Sequence, residues 1–229
     1  MSLKIIGGTY GGRVLRSVRG LGTRPLLGQV REALFNILQE HVPGAFVWDL
    51  FAGTGASGIE ALSRGAARVL FVEKNGKALD VLRGNLQMLG ADAVERSVIQ
   101  RADAWDPPVM TPAVFGASRD SDGPDPVDGA LSEVAPDLVF LDPPYALVAE
   151  DPARSLGRAR RLLDRVAPGG CVLFHFEVGV LDEDDFDGDL EVDLREWGST
   201  AIAMLGRRGE APERLLRRRQ KERERGEDA

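Results

Sequence analysis

Val47-Trp48-Asp49-Leu50-Phe51-Ala52-Gly53-Thr54-Gly55-Ala56-Ser57-Gly58 is an apolar run that breaks into a glycine-rich turn, with a helix expected over 56–64. Glycines 53, 55 and 58 have the spacing of a dinucleotide-type turn, where backbone comes close to a ligand. Such a pattern says little by itself. Here it follows a strand and opens a helix, the context in which it carries meaning. A second strand, 68–72, ends in Glu73, an acid placed to hold two ribose hydroxyls. Read alone, Glu73 would be only a solvated strand-end carboxylate.

Asp142-Pro143-Pro144-Tyr145 closes another apolar run, Leu138 to Leu141. Neither proline can donate a ladder hydrogen bond, and the residue before a proline avoids the helical region, so the strand stops there. Its tip presents a carboxylate, a proline carbonyl and an aromatic ring on a stiff turn. That set suits methylation of an amino group on a planar ring, whose delocalised lone pair is a poor nucleophile. A carboxylate and a carbonyl accepting the two N–H bonds can turn the lone pair toward the methyl while the aromatic stacks on the ring. This is positioning and preorganised electrostatics more than strong-base catalysis. The bland alternative is a strand ending in a Pro-rich turn. Taken together, the glycine turn, the tip acid and Asp-Pro-Pro-Tyr favour a nucleoside cofactor beside an amino-group substrate.

Elsewhere the pattern predicts a hairpin over Leu3 to Val18, turning at Tyr10-Gly11-Gly12, and helices over 28–39, 75–89 and 152–166. Further strands are expected at 94–100, 137–141 and 170–176, with a closing pair near 190–197 and 200–206. Strand–helix alternation implies an α/β fold, a mostly parallel sheet with helices on both faces and ligands beyond the strands' C-terminal ends. The tips of the first four strands then bring Gly53, Glu73, Asp103 and Asp142 to one edge.

These motifs are similar to those of S-adenosylmethionine-dependent methyltransferases acting on exocyclic amino groups. Within that group the chain resembles the RsmD family of bacterial 16S rRNA guanine-N2 methyltransferases. The resemblance runs from Lys4 to about Leu205, outside an insert at 107–136, and rests on Ile5 to Gly8 with Gly12-Arg13, Arg24-Pro25, Val30 to Leu38, Phe51 to Gly55, Glu60 to Ala66 and Asp142 to Tyr145. It implies a Rossmann-like class I fold with a seven-stranded sheet and an N-terminal β-hairpin/helix extension. The implied activity is transfer to a guanine N2 amine in small-subunit rRNA, of the 16S rRNA guanine(966)-N2 type. The partner would be 16S rRNA in the small subunit or its assembly intermediate. S-adenosylmethionine is expected against Asp49, Phe51, Ala52, Gly53, Thr54, Gly55 and Gly58, with Glu73 at the ribose. The resemblance places Asp103, with Ala104, near the adenine, although Asp103 is equally readable as a turn-forming residue. Asp142, Pro143, Pro144 and Tyr145 form the catalytic set.

Composition is compatible with this. The 229 residues fit one α/β domain with additions: an extension at 1–42, a methyltransferase domain at 43–206 and a charged tail at 207–229. One cysteine, Cys171, excludes a disulfide framework and is expected to be a small buried residue. With no apolar span and no signal-like N-terminus, a cytoplasmic protein without membrane attachment is expected, and a monomer. His41 and His175 have no acid or cysteine at ligand spacing, so no metal is assigned. The net charge of −7 hides opposed blocks: six basic groups and no acid in residues 1–31, against 30 acidic and 14 basic groups in 32–206. Arg13, Arg16, Arg19 and Arg24 of the first block are the RNA-contact candidates. The C-terminal run Arg214 to Arg225 is diluted by Glu222 and Glu224 and reads as a solvated helix or tail.

Two departures from the family pattern stand out. Residues 107–136 hold six prolines and little periodicity, and are expected to be a disordered insertion. Leu26-Leu27-Gly28-Gln29 replaces a polar, Thr-rich stretch. Trp105 is readable as a wall of the adenine pocket or as core, and Asn85 as an ordinary exposed polar residue. Competing functions are a DNA adenine-N6 or other amino-group methyltransferase, and a non-catalytic ribosome assembly factor. Only 84 residues follow Tyr145, most of them needed to finish the sheet, which leaves no room there for a DNA sequence-reading domain.

Overall fold

The computed structural model describes residues 3–18, 28–108, 134–186, 188 and 190–210. Arg19, Arg24, the 109–133 part of the insert and the tail beyond 210 lie outside the described residues.

Seven strands form one sheet: β3 (Phe46–Leu50), β4 (Arg68–Val72), β5 (Ser97–Gln100), β6 (Leu138–Leu141), β7 (Cys171–Glu177), β8 (Leu190–Trp197) and β9 (Thr200–Arg207). Their order is β5-β4-β3-β6-β7-β9-β8, parallel throughout except for β9, which runs antiparallel to β7 and β8. This is the Rossmann-like class I methyltransferase architecture expected. The chain leaves β3 toward β4 and β5, then returns to lay β6 on β3's other side. Between β3 and β6 the strand order therefore reverses, and in open α/β sheets ligands bind beyond the strand ends at such a point.

The central strands β3, β4, β6 and β7 are buried on both faces because they are largely apolar. Val47, Val69, Phe140 and Leu173 share one core with helices α1 (Gly28–Ile37), α2 (Ala56–Ser63) and α3 (Gly76–Leu89). Trp48, Leu70, Val139 and Phe174 share the other with α6 (Pro152–Leu163). The alternation of neighbours such as Val47 and Trp48 between the two cores is the period-two geometry of a strand.

The N-terminal hairpin forms, but its paired strands are short: β1 (Leu3–Lys4) and β2 (Val14–Leu15), with Leu3 opposite Leu15. Glu60, fully buried on α2, clamps it to the body. Its carboxylate accepts from the backbone N–H groups of Ile6 at 2.7 Å and Gly7 at 2.9 Å, and from Arg64 Nε at 2.7 Å. The buried guanidinium of Arg31 lies 4.0 Å away and also donates to the Lys4 carbonyl.

The strand expected at 94–100 is corrected. Gly90 ends α3 at a φ of 109° and starts a short helix, α4 (Ala91–Glu95), so β5 begins only at Ser97. Asp92 in the first turn suits the helix N-terminus, and the Arg96 side chain folds back on it. A second short helix, α5 (Tyr145–Glu150), follows directly on Pro144 and was not expected. Helix α6 ends at Leu163, three residues early; Arg165 and Val166 continue as i→i+3 turns onto Leu162 and Leu163.

Candidate active site

The turn after β3 is held open by its own backbone. Gly53 and Gly55 have φ of 54° and 88°, yet they do different work. A Cβ on Gly55 would strike Leu82 Cδ1 at 2.3 Å, and one on Gly58 would strike Phe71 at 2.3 Å and Asp49 Oδ2 at 2.9 Å, so both are packing glycines. A Cβ on Gly53 would meet only the Phe51 carbonyl, at 4.0 Å. Gly53 is the glycine whose bare backbone faces open space. Phe51 itself sits at φ 61°, a costly conformation for a bulky residue, and sets its ring edge-on to Trp105 at 5.2 Å.

Three acids surround this turn. Asp49, buried within β3, accepts the Gly58 N–H at 2.8 Å across the first turn of α2. Burial pushes its carboxyl well above the usual range; the Gly58 N–H opposes that, while the charges of Asp142 and Glu73 reinforce it. Glu73 accepts the Gly53 N–H at 3.0 Å and the Asn75 N–H at 2.7 Å, one on each oxygen. The acid at the β4 tip is thus fixed against the glycine turn. Asp103 is exposed, and one oxygen accepts the Trp105 N–H at 3.0 Å, the turn-forming role open to it from the start. Ala104 beside it is buried, and Trp105 is half-buried between Phe51 and the Arg158 guanidinium.

Because Asp49 titrates higher in the folded chain than in the unfolded one, the folded state holds that proton more tightly. Its ionisation therefore costs stability progressively as pH rises from about 4, the unfolded value. Asp49→Asn, whose amide oxygen can still accept from Gly58, should melt higher than the parent at neutral pH, by about 2–4 °C per kcal/mol recovered. The advantage should shrink on acidification. Thermal melts of both proteins across that range check it, and a pH-independent drop in melting temperature would contradict it.

At the β6 tip, the Asp142 N–H still bonds the Leu50 carbonyl at 3.3 Å, which sets Asp142 beside the start of the glycine turn. Pro143 is buried and Pro144 caps α5, whose first residue is Tyr145. Behind them stands a residue to which the sequence had assigned nothing. His175 on β7 puts Nδ1 against Asp142 Oδ1 and Nε2 at 2.9 Å from the Tyr145 hydroxyl. That hydroxyl also lies 3.0 Å from Thr200 Oγ1.

Asn85 is a correction. Expected to be exposed, it is fully buried: its amide donates to the Thr54 carbonyl at 3.0 Å and the Arg16 carbonyl at 3.1 Å, and accepts the Arg16 N–H at 2.9 Å. It pins the hairpin to the glycine turn. The exposed side chain of Arg13 reaches the Leu89 carbonyl at 3.3 Å and lies over the Tyr10 ring, and Arg16 is exposed. Among the described residues no group of three or more His, Cys, Asp or Glu could hold a metal ion, and no helix is long and apolar enough to cross a membrane.

Comparison with known proteins identifies the family. The family described as "Conserved hypothetical protein 95" matches residues 3–115. The "Putative rRNA methyltransferase YlbH" of Bacillus subtilis is 30% identical over 222 residues, covering 90% of this chain and 100% of the relative. The "Ribosomal RNA small subunit methyltransferase D" of Haemophilus influenzae is 32% identical over 156 residues, 67% of this chain and 69% of the relative. The chain belongs to the RsmD family. A solved structure, "Putative methyltransferase yhhF from Escherichia coli", superposes with a TM-score of 0.64 at 25% identity, covering 91% of this chain and 99% of that one. The cofactor of this RsmD-family chain is S-adenosylmethionine. The residues present fit it: a Cβ at Gly53 would meet nothing closer than 4.0 Å, so its backbone is open to a ligand, and the Glu73 carboxylate is fixed beside it.

Proposed function

We propose that this chain methylates the exocyclic N2 amine of a guanine in small-subunit rRNA, of the 16S rRNA guanine(966)-N2 type, on the subunit or its assembly intermediate. The observation that carries this reading is the junction of β3 and β6, where Asp142, three residues before Tyr145, stands beside the start of the glycine turn at the reversal of strand order. S-adenosylmethionine supplies an electrophilic methyl group on its sulfonium. Gly53 lets the cofactor approach the backbone, Glu73 accepts from its ribose hydroxyls, and Asp103 with Ala104 borders the adenine. Asp142 and the Pro143 carbonyl accept the two N–H bonds of the guanine amine and turn its lone pair toward the methyl. Tyr145 stacks on the base, which must leave its own stack to arrive there.

Methyl-labelled cofactor offered with small-subunit RNA, duplex DNA or protein alone tests the substrate class. Label should enter the RNA. Label in DNA would favour the adenine-methylating reading, and failure to bind the cofactor would favour a non-catalytic assembly factor.

The basic N-terminal block neutralises RNA phosphates. Replacing Arg13, Arg16, Arg19 and Arg24 with Ala should weaken RNA binding and reduce the slope of log affinity against log salt by about 0.7 for each phosphate no longer neutralised. Cofactor affinity should hold. An unchanged salt slope would move the RNA-binding surface elsewhere on the protein.

A further inference from the structure

The His175 imidazole is 6% exposed and lies among the residues assigned to the reaction, yet the proposed transfer gives it no part. Its two nitrogens face two of them: Nδ1 meets Asp142 Oδ1, and Nε2 meets the Tyr145 hydroxyl at 2.9 Å. The donors can be assigned by elimination. A carboxylate only accepts, so Nδ1 carries a proton, and in the neutral imidazole Nε2 is then left as an acceptor. The Tyr145 hydroxyl then donates to Nε2, and its oxygen accepts from the Thr200 hydroxyl, 3.0 Å away and buried. The result is one directed chain, Thr200 to Tyr145 to His175 to Asp142, in which each of these donors is used once.

We infer that His175 is a positioning residue for methyl transfer, fixing both the carboxylate of Asp142 and the ring of Tyr145; this rests on the reading of the site just given. A carboxylate on a short side chain has a broad torsional well. A hydrogen bond from a buried donor to one oxygen holds the plane and leaves the other oxygen to meet the amine. At its other nitrogen, His175 shares with Thr200 the tethering of the Tyr145 hydroxyl, and the two rings meet edge-on with centroids 5.0 Å apart and planes at 73°. The tyrosine ring is thereby set before the base arrives. His175 comes from β7 and Thr200 from β9, strands that pair in the sheet, so the reacting turn is braced by the rigid part of the fold.

The test uses the full chain and small-subunit particles lacking the modification. Single-turnover methyl transfer, KM for the particles, cofactor affinity by titration calorimetry and melting temperature are measured for the parent, Asp142→Ala, His175→Phe and His175→Asn. Phenylalanine keeps the ring and removes both polar atoms. Asparagine places its amide N–H where Nδ1–H stood, and so keeps the donor to Asp142. His175→Phe should lose about 10- to 100-fold in transfer rate, the scale of a misplaced reacting group. Its KM and cofactor affinity should stay within about twofold of the parent, the pattern of an interaction that matters only in the transition state. His175→Asn should recover most of the rate. A residue that merely supports the fold would give the opposite order, since asparagine leaves the larger cavity, and its losses would follow the melting temperature. The inference is overturned if His175→Phe transfers at the parent rate while Asp142→Ala does not, if asparagine fails to rescue, or if cofactor affinity falls in step with rate. If the parent itself places no methyl on the RNA, the functional reading has failed, and this inference with it.

Discussion

Asp142→Ala is expected to slow methyl transfer by about 10²–10³-fold, the scale seen when one preorganised electrostatic partner is removed from an active site. Cofactor affinity should change little, because the proposed partner of Asp142 is the substrate amine and not the cofactor. Glu73→Ala should behave in the opposite sense and mainly weaken the cofactor, since Glu73 is the acid fixed against the Gly53 N–H. Asp142→Asn should be nearly as damaging as alanine. If the asparagine oxygen accepts from His175, its NH₂ faces the substrate's own donors; if it turns round, the NH₂ meets the His175 donor instead. Single-turnover transfer and calorimetric cofactor titration on the three variants separate these roles. A near-parent rate for Asp142→Ala would sink the mechanism, as would a cofactor site that needs Asp142 and tolerates loss of Glu73.

The largest stability effect is expected far from the chemistry, at Glu60. Its carboxylate is wholly buried and accepts from two hairpin N–H groups and from Arg64, with the Arg31 guanidinium beside it. Glu60→Ala strips these groups of their acceptor and leaves the Arg31 cation buried without its counter-charge. Burial already pulls that guanidinium down, and the charge of Glu60 is what opposes it. Removing one member of a buried pair costs about 3–5 kcal/mol. For a chain of this size that is a fall in melting temperature of roughly 6–20 °C. Glu60→Gln, which keeps an acceptor oxygen and loses the charge, should fall between the two. A melting temperature within a degree or two of the parent, with the hairpin still protected in hydrogen exchange, would show that the clamp contributes little.

The difference between these two sites marks what could be read from the chain. The apolar run opening at Val47 and the strand 68–72 correspond to the observed β3 and β4 because each is a mostly apolar stretch that ends in turn residues. Asp142 was legible because two prolines after an apolar run announce a strand end, and parallel strand ends are where ligands go. Glu60 was visible only as part of a family segment. Nothing local says that its acid turns inward to meet backbone 53 and 54 residues away.

Asn85 had a signal that went unused. It lies three residues after Leu82 and four before Leu89, on the apolar face of α3, where a buried amide must find partners. His175 had a fainter one. It is the sole titratable residue besides the cysteine in Cys171-Val172-Leu173-Phe174-His175-Phe176, close to the C-terminal end of a parallel strand, and the carboxylate it serves is 33 residues earlier. The strand expected from 94 began inside helix α4, which Gly90 with Asp92 starts; Val94 is exposed there.

The central claim is the chemical identity of the acceptor nitrogen. Small-subunit particles lacking the modification, methylated by this protein with labelled cofactor, are digested to nucleosides and resolved by mass spectrometry. The account predicts label in N2-methylguanosine, absent when Asp142→Ala replaces the parent. Label in a methylated adenine, on a ring carbon or in ribosomal protein would contradict it.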